Sequence, residues 1–120
     1  MKRYRFLKIH HIRKSSDFQK IYDLQERAGD AHLLVFASRN GLDWPRIGLS
    51  VSKKHGPAVT RNRIKRLLRE AFRLTREDLP KGLDLILIPR QNSGSELGDY
   101  RRSLRKLARK LGDRMLGGEP

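Results

Sequence analysis

Apolar residues recur along this chain with two spacings, one typical of helices and one typical of strands. Spacings of three and four residues predict helices over residues 17–27, 58–74 and 96–111, the last beginning at residue 96 or 98. Short apolar runs and alternation predict strands over residues 32–38, 46–52 and 83–88. The predicted order is therefore helix–strand–strand–helix–strand–helix.

This order predicts an α+β fold in which helices pack on a small mixed sheet as a two-layer sandwich. The strand over residues 46–52 alternates between apolar and small or polar residues, and we expect it to pair antiparallel with the strand over 32–38. The strand over 83–88 is apolar on both faces, as a central strand is. Residues 1–120 fit one domain, with a basic segment over 1–14 and a flexible tail over 112–120.

The charge of the chain narrows the choice of partner. Lys and Arg number 28 against 13 Asp and Glu, which gives a formal net charge of +15, while 37% of the residues are hydrophobic. A folded domain this basic is expected to bind a polyanion, either nucleic acid or an anionic membrane surface. The membrane is the weaker alternative, because the most basic predicted helix has an apolar side suited to a protein core.

The composition also disfavours several classes of protein and of site. Cysteine is absent, so a disulfide framework and a thiolate metal site are excluded. No apolar stretch approaches the ~18 residues of a membrane span, and the N-terminus lacks the apolar core of a secretory signal. His10 and His11 are adjacent, so they do not converge on one metal ion. We therefore expect a cytoplasmic protein with no metal site and no catalytic side chain of its own.

The predicted helix over residues 58–74 carries cations beside its apolar side. At about 100° per residue, one wide face holds a set that we call the cationic stripe: Asn62, Lys65, Arg66, Arg69 and Arg73. Glu70 is the one acid in this helix, so i, i+4 ion pairs are scarce. Such a face is either a solvated surface or a surface for phosphates, which Arg binds through two parallel hydrogen bonds. The scarcity of acids favours phosphate binding.

A second candidate site is a groove between the first predicted helix and the sheet. Its lining would combine aromatic, hydroxyl and cationic side chains: Phe18, Tyr22, Phe36, Ser50, Ser52 and Lys54. Ser50 and Ser52 share one face of the predicted strand over 46–52. Rings stack on unpaired bases and cations neutralise the backbone, so this set suits single-stranded nucleic acid. The three aromatic residues also suit an ordinary core, and the pattern leaves both interpretations open.

Three segments of the sequence resemble the protein subunit of bacterial ribonuclease P. They are RIGLSVSKK over residues 46–54, AVTRNRIKR over 58–66 and REAFR over 69–73. The tripeptide Arg61-Asn62-Arg63 is specific in this setting, because it follows the GLSVSKK strand and opens a basic helix. The resemblance extends over nearly the whole chain and is weakest at residues 1–10, 91–98 and 112–120.

The resemblance implies a small α+β sandwich with a left-handed βαβ crossover, against the right-handed rule. It implies a ribonucleoprotein that cleaves the 5′ leader from precursor tRNA. The catalyst would be an RNA subunit whose Mg²⁺ ions activate water. The protein would be a monomer, with one copy per RNA.

The resemblance also implies roles for single residues. The RNA subunit would contact Arg61, Asn62, Arg63, Lys65, Arg66 and Arg69, to which the cationic stripe adds Arg73. The leader would lie in the groove lined by Phe18, Tyr22, Phe36, Ser50, Ser52 and Lys54. A non-catalytic RNA-binding module of ribosomal or RNA-chaperone type is the alternative, because it would carry the same charge.

Overall fold

The computed structural model describes residues 8–117. Three helices are present: α1 (Ser15–Leu24), α2 (Ala58–Thr75) and α3 (Leu97–Met115). Four strands are present: β1 (Arg27–Gly29), β2 (Leu33–Arg39), β3 (Arg46–Leu49) and β4 (Leu83–Pro89). The α+β class and the mixed sheet predicted from the sequence are confirmed. Residues 1–7 of the basic N-terminal segment and residues 118–120 of the predicted tail lie outside the described residues.

The sheet has the strand order β1-β2-β4-β3. Strand β4 pairs antiparallel with β2 and parallel with β3. The predicted pairing of β3 with β2 is therefore wrong, because β4 lies between them. The apolar β4 takes the centre, where both of its faces are covered. Parallel neighbours need a long connection, and α2 provides it.

The first predicted helix is too long at its C-terminal end. Helix α1 ends at Leu24, and Gln25 follows in the left-handed conformation with φ 61°. The chain then forms β1, which pairs antiparallel with β2 and was absent from the sequence prediction. A strand of three residues is too short to show a period, so the helical spacing of its neighbours concealed it.

The ends of two other elements also differ from their predictions. Strand β3 stops at Leu49 rather than at residue 52. Helix α3 continues through Gly112 to Met115, so the expected flexible tail is helical over its first residues. Gly112 packs against Pro80: a Cβ on it would lie 2.6 Å from the Cγ of that proline. The glycine allows close packing here instead of ending the helix.

The two faces of the sheet are covered by different helices. Alternate residues of β2 and β4 point to opposite sides. One side packs on α2 and α3 and forms the larger core, which includes Val35, Leu85 and Phe72. The other side packs on α1 through a smaller cluster that includes Phe36 and Ile86. Helices α1 and α2 thus lie on opposite faces, with the end strand β3 between them.

A buried carboxylate fixes the start of β3. The Asp84 side chain on β4 accepts two hydrogen bonds from the Arg46 guanidinium, at 2.8 Å to Oδ1 and 2.6 Å to Oδ2. The Asn40 amide donates a third to Oδ1 at 2.9 Å. These hydrogen bonds to Asp84 raise the pKa of Arg46 above its ordinary value. The pair therefore holds the N-terminal end of β3 against β4.

Candidate RNA-binding surface

The cationic stripe of α2 lies outside the core, as its spacing predicts. Leu68, Ala71 and Phe72 bury the inner side of the helix. Asn62, Arg66 and Arg69 on the outer side are exposed, and Lys65 is half-buried at the border. Within residues 8–117, neither Arg66 nor Arg69 forms an ion pair with a carboxylate. These cations are available to a polyanion.

Three other basic residues of α2 make contacts within the protein. Arg61 donates from Nε to the Gly56 carbonyl at 3.1 Å, which holds the loop before the helix. Arg63 lies 3.6 Å from a Glu96 carboxylate oxygen. Arg73 donates from Nε to Glu70 at 3.0 Å, and this hydrogen bond lowers the pKa of Glu70. Glu70 therefore neutralises the C-terminal end of the stripe, which leaves its centre as the more electropositive part.

A cleft of about 310 Å³ lies beside the stripe. We call it the α1–β3–α2 cleft, after the elements around it. Its lining comes from these elements and from the segment before α1: His11, Ile12, Arg13, Phe18, Ile47, Gly48, Leu49, Lys65 and Arg69. Its floor is apolar and its rim is cationic, so it offers both kinds of contact that a nucleic-acid strand requires.

Phe18 forms one wall of the cleft by lying against a glycine. The ring of Phe18 sits so close to Gly48 that a Cβ on this residue would clash with the ring Cζ. Phe18 is half-buried, so part of its ring faces solvent. The glycine in β3 lets α1 approach the sheet, and this approach sets the width of the cleft.

Tyr22 and Phe36 occupy different depths. Their rings meet edge to face, with centroids 5.1 Å apart. Tyr22 is half-buried, whereas only 8% of Phe36 is exposed. Phe36 therefore belongs to the small core under α1, and the expectation that it offers a face for base stacking is corrected. Phe36 packs against the Tyr22 ring from the core side.

The two serines do not share a strand face, because β3 ends before them. Ser50 is half-buried, and its backbone N–H donates to the Leu87 carbonyl at 3.0 Å. The Ser52 hydroxyl accepts from the backbone N–H of Lys54 at 3.3 Å and caps a short turn. Lys54 is exposed in this turn. The three residues still follow one another between β3 and α2, but on a loop.

The side chain of His55 anchors this loop to the sheet. Its Nδ1 accepts from the backbone N–H of Ser52 at 3.0 Å. Its Nε2 lies 2.7 Å from the Pro89 carbonyl, to which it donates in the neutral tautomer. Both ring nitrogens are thereby used. His55 positions Ser52 and Lys54, a role that its isolated place in the sequence does not indicate.

His11 and Arg13 are cleft residues that the sequence did not identify. The segment that carries them runs along β3, where the Ile12 N–H donates to the Ile47 carbonyl at 2.9 Å. The indole Nε1 of Trp44 donates to the Ile9 carbonyl at 3.0 Å and holds the same segment. Residues 8–13 have no clear period, so no local pattern predicts this contact.

The cleft does not suit a divalent cation. Its charged residues are all basic, whereas Mg²⁺ takes oxygen ligands such as carboxylates. Across residues 8–117, no group of three His, Asp or Glu side chains is placed to hold a metal ion. In the same part of the chain, no helix is both long and apolar enough to cross a membrane.

Known proteins are similar to this chain in sequence and in fold. The family model described as ribonuclease P matches residues 6–113. The "Ribonuclease P protein component" of Syntrophus aciditrophicus is 41% identical over 95 residues, which are 79% of this chain and 80% of that protein. The counterpart of Staphylococcus haemolyticus is 44% identical over 84 residues, 70% of this chain and 73% of its own.

Solved structures give the same result. The ribonuclease P protein of Thermotoga maritima superposes with a TM-score of 0.76 at 31% identity, covering 83% of this chain and 96% of its own. That of Staphylococcus aureus superposes with a TM-score of 0.73 at 34% identity, covering 84% and 94%. The chain therefore belongs to the family of bacterial ribonuclease P protein components, the protein part of an endoribonuclease that processes tRNA.

Proposed function

We propose that this protein binds the catalytic RNA subunit of ribonuclease P through α2 and the 5′ leader of precursor tRNA through the α1 side of the adjoining cleft. The proposal rests on the observation that these two surfaces adjoin. Lys65 and Arg69 belong both to the cationic stripe and to the rim of the α1–β3–α2 cleft. Two RNA strands bound to these surfaces would therefore lie side by side.

The leader would follow the α1 side of the cleft. Phe18 and Tyr22 offer partly exposed rings, on which unpaired bases stack. The loop that continues from β3 carries Ser50, Ser52 and Lys54. Their hydroxyl and ammonium groups can bind the sugar–phosphate backbone of the leader. Arg61 and Arg63 would contact the RNA subunit at the N-terminal end of α2. Arg61 also holds the preceding loop through its hydrogen bond to Gly56, and Arg63 is exposed beside Glu96.

The chemistry would belong to the RNA. The cationic rim of the cleft repels Mg²⁺, so we assign the ions that activate water to the RNA subunit and the substrate. The protein would act as a monomer in the cytoplasm, one copy per RNA, and would increase the affinity for the substrate. The test is cleavage of precursor tRNA by a bacterial ribonuclease P RNA at low Mg²⁺, with and without this protein.

Stimulated cleavage at the mature 5′ end supports the proposal. RNA binding without stimulated cleavage would favour the alternative, a module of ribosomal or RNA-chaperone type. The match of the family model over residues 6–113 favours the first outcome.

Replacing Tyr22 by alanine is expected to weaken binding of precursor tRNA to the holoenzyme about tenfold or more. The basis is that stacking contributes ~1–3 kcal/mol per base and that 1.4 kcal/mol is tenfold. Mature tRNA has no leader, so its Kd should not change. The single-turnover cleavage rate at saturating Mg²⁺ and substrate should not change either, because the tyrosine takes no part in the chemical step.

The matched control is Tyr22→Phe, which keeps the ring and should bind precursor tRNA like the unmodified protein. Circular dichroism would show that each variant is folded. An equal loss for precursor and mature tRNA would mean that Tyr22 acts through the small core around Phe36. A loss in the single-turnover rate alone would place Tyr22 in the chemical step.

Anions are expected to stabilise the isolated protein. A net charge of +15 in a small domain disfavours the compact state through self-repulsion. Sulfate should raise the Tm more than chloride does at matched ionic strength, because a ligand that binds only the folded state stabilises it. The measurement is thermal unfolding in the two salts. Equal Tm values would show that the stripe and the cleft hold no specific anion site.

A further inference from the structure

His11 lies in the cleft among positively charged side chains. Arg13 flanks it on the same segment, and Lys65 and Arg69 face the cleft from α2. The elements α1 and β3 contribute Phe18, Ile47, Gly48 and Leu49, which carry no charge. His10 precedes it, but its ring is buried against Phe72, with centroids 5.6 Å apart. Among residues 8–117, the other side chains that line the cleft around His11 are therefore cationic or apolar.

This surrounding favours the neutral imidazole in the free protein. Burial lowers the pKa of His11 below its ordinary value, and the positive charges of Arg13 and Arg69 lower it further. With His11 neutral, the cleft carries the three positive charges of Arg13, Lys65 and Arg69 rather than four while no anion is bound. The same ring becomes a cation and a hydrogen-bond donor at both nitrogens when it takes up a proton.

We propose that His11, Arg13, Lys65 and Arg69 together bind one backbone phosphate of the catalytic RNA, and that binding adds a proton to His11. The proposal rests on the proposed function, since it names the RNA subunit as the source of the phosphate. A cleft of about 310 Å³ is large enough to hold a phosphodiester group. The N-terminal segment thus supplies the second half of a phosphate site whose first half is on α2.

The direction of the pH dependence follows from the two states of His11. An opposite charge within ~4–6 Å raises the pKa of a histidine by about 1–3 units. The pKa of His11 in the complex is then higher than in the free protein, so the complex binds more protons. Affinity must increase as the pH falls, by up to one logarithmic unit in Kd per pH unit between the two values. The phosphodiester stays ionised throughout and contributes nothing to this slope.

The first experiment measures the Kd of the full chain for a bacterial ribonuclease P RNA from pH 8.0 to pH 5.5 at constant salt. We expect the unmodified protein to bind about tenfold or more tightly at the acidic end, as a shift of 1 unit or more requires. His11→Gln should bind with little dependence on pH, at the weaker level. His11→Arg should also lose the dependence but bind at the tighter level, because its charge is permanent.

The matched control is His32→Gln. His32 is bonded to Ser95 at 2.6 Å, outside the cleft, and its loss should leave the pH slope unchanged. A His11→Gln variant that keeps the slope of the unmodified protein would overturn the proposal. So would a slope that appears with precursor tRNA alone and is absent with the catalytic RNA, because the phosphate would then come from the substrate.

The second experiment needs no catalytic RNA. An NMR titration follows the His11 ring of the full chain with and without sulfate, an anion that does not titrate in this range. We expect sulfate to raise the pKa of His11, and an unchanged pKa would overturn the phosphate site. If the protein fails to stimulate cleavage while sulfate still raises this pKa, the proposed function fails and the site stands. If cleavage is stimulated and the pKa of His11 does not change, the phosphate site fails and the proposed function stands.

Discussion

Replacing Arg66 and Arg69 together by alanine is expected to weaken binding of the catalytic RNA about 30-fold at 0.15 M salt. The figure follows from counterion release, in which each phosphate contact contributes about 0.9 to the slope of log K against log salt. Two lost contacts should flatten this slope by about 1.8. Both side chains are exposed and form no ion pair with a carboxylate within residues 8–117, so their removal leaves no buried charge behind.

The matched control is the double variant Arg109→Ala, Lys110→Ala. It removes the same charge from the exposed side of α3, far along the chain from the cationic stripe. It should lower the affinity only slightly, through the loss of long-range attraction. The measurement is the Kd at four or more salt concentrations for each variant. An unchanged slope in the α2 variant, with an intact fold, would remove these residues from the interface.

Replacing Asp84 by alanine is expected to lower the free energy of unfolding by about 3 kcal/mol, the lower end of the cost of breaking a buried ion pair. The Arg46 guanidinium would lose both of its hydrogen bonds to the carboxylate. The Arg46 side chain is 26% exposed, so water can solvate it in part, and this keeps the expected loss at the lower end. Urea unfolding measures the effect.

Asp78→Ala is the control for Asp84→Ala. Its carboxylate lies 3.6 Å from Arg105 and is 56% exposed, so its loss should leave the unfolding midpoint almost unchanged. An Asp84→Ala protein as stable as the control would mean that solvent satisfies the donors of Arg46 and Asn40 without the carboxylate. RNA binding by Asp84→Ala should weaken only to the extent that β3 moves, because β3 forms part of the cleft.

The parts of this fold that could be predicted from the sequence are those whose pattern of apolar residues continues over a long stretch of the chain. Helix α2 shows its apolar side and its cationic stripe over 18 residues, and the structure places both as expected. Strand β4 was identified as central because it is apolar on both faces. Strand β1 has three residues and shows no period. The position of β3 beside β4 depends on α2 as a crossover, which no local pattern contains.

The candidate site divides in the same way. The aromatic residues of α1 were found by helical spacing, but the burial of Phe36 depends on how closely Tyr22 approaches it. Ser50 and Ser52 were assigned to a strand because alternation continues past the point where backbone pairing stops. His11 and Arg13 were missed because their place in the cleft depends on a hydrogen bond between Ile12 and Ile47, which are distant in sequence. Contacts of this kind become visible only when the chain is folded.

The course of residues 8–13 along β3 also bears on self-association. Strand β3 lies at the end of the sheet, and an uncovered end strand is a template for pairing with another chain. The pairing of His11 with Ile47 and the hydrogen bond from Ile12 cover this edge within the same molecule. A chain shortened to begin at α1 would therefore lose the cleft residues His11 and Arg13 and would expose a strand edge. Such a protein would associate with itself as its concentration rises, and its RNA affinity would have to be measured on the monomer.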